Sequence, residues 1–285
     1  MTIRIKRMTI IGVGLLGASL GLALKKRGMV QQVTGVGRRK ESLDVALERG
    51  AIDNATLDVE TGVAQADAVA IATPAGLVAP MLDATLAAAP NDVVLFDVAS
   101  TKQAICSHAQ QACPQPRRFV GCHPMAGGEK FGPAHGNADF YVDSVCLVEQ
   151  DTAIDATVRD FVCALWRSVG ARVVDVDATA HDAILARTSH VPHVVAAALT
   201  RLAADHGVTA PFIGKGFRDT TRIAASRPEI WRDICRENHT AVIAALAAFR
   251  NDIEAFEALL KADDAAGIEA FFEDGAAARH KVTES

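Results

Sequence analysis

Gly12, Gly14 and Gly17 stand in the spacing G-x-G-x-x-G, directly after the apolar run Met8–Ile11. Few patterns narrow a fold as much, because each glycine answers a separate steric demand. The first allows a tight turn out of a strand. The second lets backbone approach a diphosphate, and the third lets the next helix press against the strand. The apolar run suits a central parallel strand. A helix is predicted from about Leu15 to Lys26, ended by Gly28. Its first amides, at Leu15 and Leu16, would face the phosphates of a dinucleotide. Downstream, "QQVTGVGRR", "ADAVAIATP" and "DVVLFDVAS" read as strands, alternating with the helical stretches "KESLDVALERG" and "VAPMLDATLAAA". That order predicts an α/β fold: an N-terminal Rossmann doubly wound parallel sheet with right-handed crossovers. A Rossmann-like domain with an empty crevice is the alternative. The 285 residues suffice for two domains. We expect a dinucleotide-binding Rossmann domain over residues 1–175. Residues 176–285 are expected to form a C-terminal all-helical domain for substrate binding and dimerisation.

The end of the second strand bears on the cofactor. An acidic residue there would hold the ribose 2′-hydroxyl of NAD. This chain has Gly37, Arg38 and Arg39, with no carboxylate before Glu41. A guanidinium suits a 2′-phosphate through forked, charge-assisted hydrogen bonds, so NADP is expected over NAD. A solvated turn is the other reading of these arginines. Ligands of such sheets sit outside the carboxyl ends of the strands. Two of those ends are polar: Thr73 with Pro74, and Ser100 with Thr101 and Lys102. Both are expected beside the nicotinamide half, although Thr73 and Pro74 serve equally well as a turn.

Bulk properties exclude other classes. A net charge of −5 argues against a nucleic-acid partner, which needs a basic patch. The six cysteines form no C-x-x-C and no zinc spacing, so reduced thiols in a cytoplasmic protein are expected, with no metal. The basic, apolar start resembles a secretory signal. The glycine spacing, and Lys25, Lys26 and Arg27 directly after, make it part of the fold instead, and no membrane partner is expected.

"FVGCHPMAGGEKFGP" places His123 at a strand end, before a proline and a glycine-rich loop. Hydride transfer from an alcohol requires removal of the hydroxyl proton, and imidazole titrates near neutrality. His123 is therefore the candidate base, with a satisfied loop histidine as the alternative. In the second half, Thr179 and Asp182 fit a capping box for a helix beginning near Ala180. Pro192 should kink that helix by removing a backbone bond and clashing with the Thr188 carbonyl. His190 and His193 flank the kink on one face, presenting imidazole to a cleft. "GFRDTTRIAASRPEIWRDI" supplies Arg218, Arg222, Arg227 and Arg232 as candidate carboxylate ligands. From Asn238 the chain reads helical, with small alanine-rich faces suited to a two-fold interface, so a homodimer is expected.

The segments "GVGLLGASLGLAL", "DVASTK", "GCHPMAGGEKFG", "HDAILARTSHVPH" and "GFRDTTRIAASRPEIWRDICRENH" span about residues 8–240. Together they resemble the prephenate/arogenate (cyclohexadienyl) dehydrogenase family of tyrosine biosynthesis. The resemblance implies an NAD(P)-dependent oxidative decarboxylation of a cyclohexadienol dicarboxylate. By that resemblance His123 accepts the C4 hydroxyl proton and Ser100 assists near the nicotinamide. His193 contacts the substrate side chain and Arg222 binds a carboxylate, while Trp231 matches a position that approaches the substrate. His190 is implied either to satisfy the broken backbone or to touch the cofactor, and the presence of both histidines leans toward prephenate. Glu129, in the glycine loop, is placed to influence whether a keto or amino side chain is accepted. No fused mutase or regulatory domain of the kinds known in the wider family is expected, so tyrosine feedback would be expected to act at the active site. Two alternatives remain: a β-hydroxyacid or imine reductase of the same two-domain plan, and a non-catalytic NADP-sensing regulator. The first usually carries a lysine where this chain has histidines, and the second would not need His123, His193 and Arg222 together.

Overall fold

The computed structural model describes residues 4–128 and 130–283. A six-stranded, all-parallel sheet forms from β1 (Ile5–Ile11), β2 (Val30–Val36), β3 (Asn54–Thr56), β4 (Ala68–Ile71), β5 (Val94–Asp97) and β6 (Phe119–Val120). Its order is β3-β2-β1-β4-β5-β6, which reverses direction between β1 and β4. The strands are apolar on both faces because both are covered. Met8, Ile10 and Phe96 enter one core, while Ile11, Val69, Ile71 and Leu95 enter the other. The first core receives Leu20 and Leu24 of α1 (Leu15–Lys26), Leu43 of α2 (Lys40–Glu48) and, further along the chain, Trp166. The second receives Val63 of α3 (Val59–Val63), Leu82 of α4 (Val78–Ala88) and Ile105 of α5 (Gln103–Ala112).

The glycine turn follows the steric logic of the motif. Gly12 has φ 95°, and a Cβ there would lie 2.6 Å from the Ala72 carbonyl oxygen. A Cβ on Gly17 would overlap the Gly12 carbonyl, so α1 can approach β1 only with glycine at that place. Trp166, fully buried on α6 (Ala156–Ser168), packs edge-on against Phe96 and Tyr141 at 6.0 and 5.2 Å. The Tyr141 hydroxyl donates to the Leu16 carbonyl at 2.7 Å, tying the first turn of α1 to this cluster.

A second, three-stranded sheet is an addition to the expected architecture. Gly121 separates β6 from β7 (Cys122–Pro124), which leaves the large sheet and pairs antiparallel with β8 (Val145–Glu149). Strand β9 (Arg172–Val176) then pairs parallel with β8. A Cβ on Gly121 would lie 2.6 Å from Cys106 Sγ, which explains why the switch occurs at a glycine.

Next comes α7 (Ala178–Leu185), which continues through a widened π turn, Ala186–His190, into α8 (Val191–Asp205). The expected kink at Pro192 takes this form: an extra residue in the turn relieves the clash that a proline imposes one turn upstream. The expected capping box is corrected. Asp177, not Thr179, caps α7, accepting from Ala180 N at 2.9 Å. Asp182 is occupied elsewhere. α9 (Lys215–Thr221) and α10 (Pro228–Glu237) follow, then α11 (His239–Lys261) and α12 (Ala265–Thr283).

The chain divides into two compact units, residues 1–239 and 240–285. The second is a helical pair in which the rings of Phe256, Phe271 and Phe272 meet at 4.8–5.8 Å. It leaves Ile243, Ile253, Leu260 and Phe272 exposed. All six cysteines are free. Among the described residues, no helix is long and apolar enough to cross a membrane.

Candidate active site

Four buried polar residues organise the strand ends. Asp97 ends β5, and its carboxylate accepts from Cys122 N at 2.9 Å and from Ala99 N at 3.0 Å. Those two amides directly precede His123 and Ser100, so one carboxylate sets the start of both loops. The Lys102 ammonium pairs with it at 1% exposure. Burial pulls that ammonium down, but the Asp97 charge prevails and holds it above its ordinary value. Asp182 reaches across from α7 and accepts from Lys102 N at 2.8 Å and Gln103 N at 3.0 Å. It thereby takes the place of an N-terminal cap for α5, whose own N-cap residue offers none.

The same Asp182 terminates a chain of imidazoles. Its Oδ1 lies 2.7 Å from His181 Nδ1, and His181 Nε2 lies 2.9 Å from His123 Nδ1. With both Asp182 oxygens already accepting backbone N–H, the carboxylate can only accept, so His181 carries its proton on Nδ1. Neutral His181 then offers a lone pair at Nε2, and His123 Nδ1–H donates to it. That tautomer leaves His123 Nε2 as the bare acceptor. Burial foremost, then the neighbouring His181, Lys102 and His190, hold His123 well below its ordinary value of 6.5. It is therefore neutral, and able to take a proton, across the neutral range.

His123 opens onto a cavity of 660 Å³, which also carries Ser100, His190, His193, Arg222 and Trp231. Three distant segments, 100–128, 189–193 and 222–234, thus meet at one place. His193 Nδ1–H donates to the Ser189 carbonyl at 2.9 Å, and its ring stacks on Trp231 at 3.5 Å. The backbone carbonyl near the bend is therefore served by His193 rather than His190. His190, 1% exposed, has its Nδ1 3.1 Å from Asn238 Nδ2, and burial pushes it down to about 4. Asn238 also donates to the Asp182 carbonyl at 2.8 Å, linking α10 to the imidazole chain. Glu129 lies outside the described residues.

The geometry fits a dinucleotide along the strand ends. No side chain caps α1, and a Cβ at Gly14 would meet nothing within 4 Å, so the backbone there is open to close approach. Leu15 and Leu16 begin α1 beyond that opening. Thr73 Oγ1 and Thr101 Oγ1 are buried without a partner, at the ends of β4 and β5. Arg38 and Pro74 line a second cavity, of 610 Å³, while Arg39 is the exposed N-cap residue of α2. No group of three potential metal ligands occurs among the described residues.

Family models match two consecutive stretches. Residues 20–175 match the nucleotide-binding domain of prephenate dehydrogenase, and residues 177–274 its dimerization domain. The chain belongs to the prephenate dehydrogenase family. It is 30% identical over 266 residues to prephenate dehydrogenase of Bacillus subtilis, covering 92% of this chain and 72% of that one. It is 30% identical over 264 residues to cyclohexadienyl dehydrogenase of Zymomonas mobilis, covering 91% and 90%. Prephenate dehydrogenase from A. aeolicus, solved with hydroxyphenyl propionate and NAD+, superposes with a TM-score of 0.90 at 25% identity, covering 99% and 100%. Arogenate dehydrogenase from Synechocystis superposes at 0.83 and 25% identity, covering 97% and 100%.

His181, Asp97 and Asn238 escaped the residue-level reading, as did the buried contacts of Lys102 and Asp182. All are buried polar groups within or beside strands and helices, and no local spacing distinguishes such a group from a cap or a solvated side chain.

Proposed function

We propose that this chain oxidatively decarboxylates prephenate or arogenate in tyrosine biosynthesis, with a nicotinamide dinucleotide as hydride acceptor and NADP preferred over NAD. The observation that carries the reading is the convergence of His123, Ser100, His193 and Arg222 on one cavity. When bound, the nicotinamide ring supplies the acceptor for hydride leaving C4 of the substrate ring. His123 Nε2 accepts the C4 hydroxyl proton, and His181 with Asp182 holds it in the accepting tautomer. Ser100 stands beside the same hydroxyl. Arg222 grips a carboxylate, and His193 and Trp231 bound the side-chain end. No covalent nucleophile is required, because aromatisation drives out the ring carboxylate as carbon dioxide. The protein's contribution is position and proton acceptance.

Arg38 and Arg39, with no carboxylate at the end of β2, support the preference for NADP. The proposed domains are residues 1–175 for the dinucleotide and 176–285 for substrate and dimerisation. Exposed Ile243, Ile253, Leu260 and Phe272 support a homodimer formed through the C-terminal helices, and the six free thiols suit a cytoplasmic protein.

Steady-state kinetics with prephenate and arogenate, each with NAD and NADP below saturation, test the reading. Turnover of neither substrate overturns the activity, and a clear preference for NAD overturns the cofactor choice. His123→Asn is expected to lower kcat by about 10²–10⁴-fold with little change in KM. Unchanged turnover would remove its assignment as the base.

A further inference from the structure

The helix α10 faces two cavities at once. Ile230 and Trp231 line the cavity that holds His123. Arg232 and Arg236 line the 610 Å³ cavity, which Arg38 beyond β2 and Pro74 beyond β4 line as well. Arg227 and Ile230 line both, so the two cavities adjoin. The crevice thus runs from the base at His123 to the strand end where the adenosine half of a dinucleotide lies.

Four guanidinium groups border the far cavity, and two are committed. Arg232 pairs with Asp233 at 2.7 Å, and Arg227 with Glu229 at 3.4 Å. Among the described residues, neither Arg38 nor Arg236 has an ion pair or side-chain hydrogen bond. Glu237 is the one acid left on this wall, beside Gly76. Two cations without an ion pair that border one polar cavity suit a compact dianion.

We propose that Arg236 of α10 and Arg38 beyond β2 together clamp the cofactor's 2′-phosphate. The inference rests on the NADP reading and adds to it a ligand from outside the Rossmann fold. It also gives α10 a double duty. The same helix carries Trp231, stacked on His193, so gripping the phosphate steadies a wall of the substrate cavity.

Calorimetric titration of the purified full chain with 2′,5′-ADP and with 5′-AMP tests the clamp without turnover. Wild type is expected to bind 2′,5′-ADP more tightly. Arg236→Gln should weaken 2′,5′-ADP by about tenfold, the loss of one charged hydrogen bond, and leave 5′-AMP unchanged. Arg236→Lys should recover part of the loss. If wild type shows no preference for 2′,5′-ADP, the NADP reading falls and the clamp with it. If Arg38→Gln abolishes the preference but Arg236→Gln does not, NADP stands and the role of Arg236 is overturned. Equal weakening of both ligands by Arg236→Gln also overturns it, since that is the mark of a distorted helix.

Discussion

The two walls of the active cleft are built on opposite plans. On the sheet side, Asp97, Lys102, His181 and Asp182 are at most 1% exposed, and His123 is 8% exposed. Their polar atoms bond chiefly to one another and to backbone. On the helical side, Arg222, Arg227, Arg232 and Arg236 are exposed and Trp231 is half-buried. On the proposed reading the difference follows two tasks. A proton acceptor needs a fixed tautomer and direction, which a dry, fully bonded network enforces. Groups that would receive a charged substrate stay open to water until the substrate displaces it. The sheet side should therefore respond to mutation in stability and kcat, and the helical side in KM.

The sharpest contrast comes from Lys102→Met, which leaves the Asp97 carboxylate buried and unpaired. It should cost about 3–5 kcal/mol of unfolding free energy, read from urea titration. Arg222→Ala should stay within about 0.5 kcal/mol in the same assay. Equal losses would erase the distinction between the walls. Arg222→Ala should instead raise KM for prephenate by about ten- to a hundredfold with kcat nearly kept, because a carboxylate loses a charged partner. A fall in kcat alone would move Arg222 to the chemical side.

Acid titration isolates the buried wall. His123, His181 and His190 are all held below 6.5, first by burial, and His190 lies at about 4. The unfolded chain takes up these protons near pH 6.5, and the folded chain resists them. Their contribution to stability is thus complete above pH 6.5 and is lost as pH falls through the window down toward about 4. The slope should reach about 1.4 kcal/mol per pH unit for each such histidine. Urea midpoints unchanged between pH 7 and 5 would contradict the burial of these rings. The smallest effect separates two neighbours on α7: Asp177→Ala should cost about 1 kcal/mol as a lost cap, and Thr179→Ala almost nothing.

The Rossmann sheet was legible because its signals are local. Glycine spacing, apolar runs and strand–helix alternation each act within a few residues, and Gly12 and Gly17 meet the contacts their motif requires. Motif resemblance singles out His123, Ser100, His193 and Arg222, and these four line one cavity. Thr179 misled because a capping box needs only the right residue types, and Asp177 supplied the same bond two residues earlier. Asp182 fits that box by residue type, whereas it closes contacts 79 and 80 positions away in the chain.

The order of residues by itself determined which segments would be strands and helices, where a glycine turn would leave backbone open to close approach, and which side chains the proposed chemistry can draw on. Only the tertiary structure decided which nitrogen of His123 is bare, which histidine serves the bent helix, and which arginines border one cavity. The reason is range: propensity and steric demand act between neighbours, whereas a tautomer or an ion pair depends on partners that the folded chain alone brings within 3 Å.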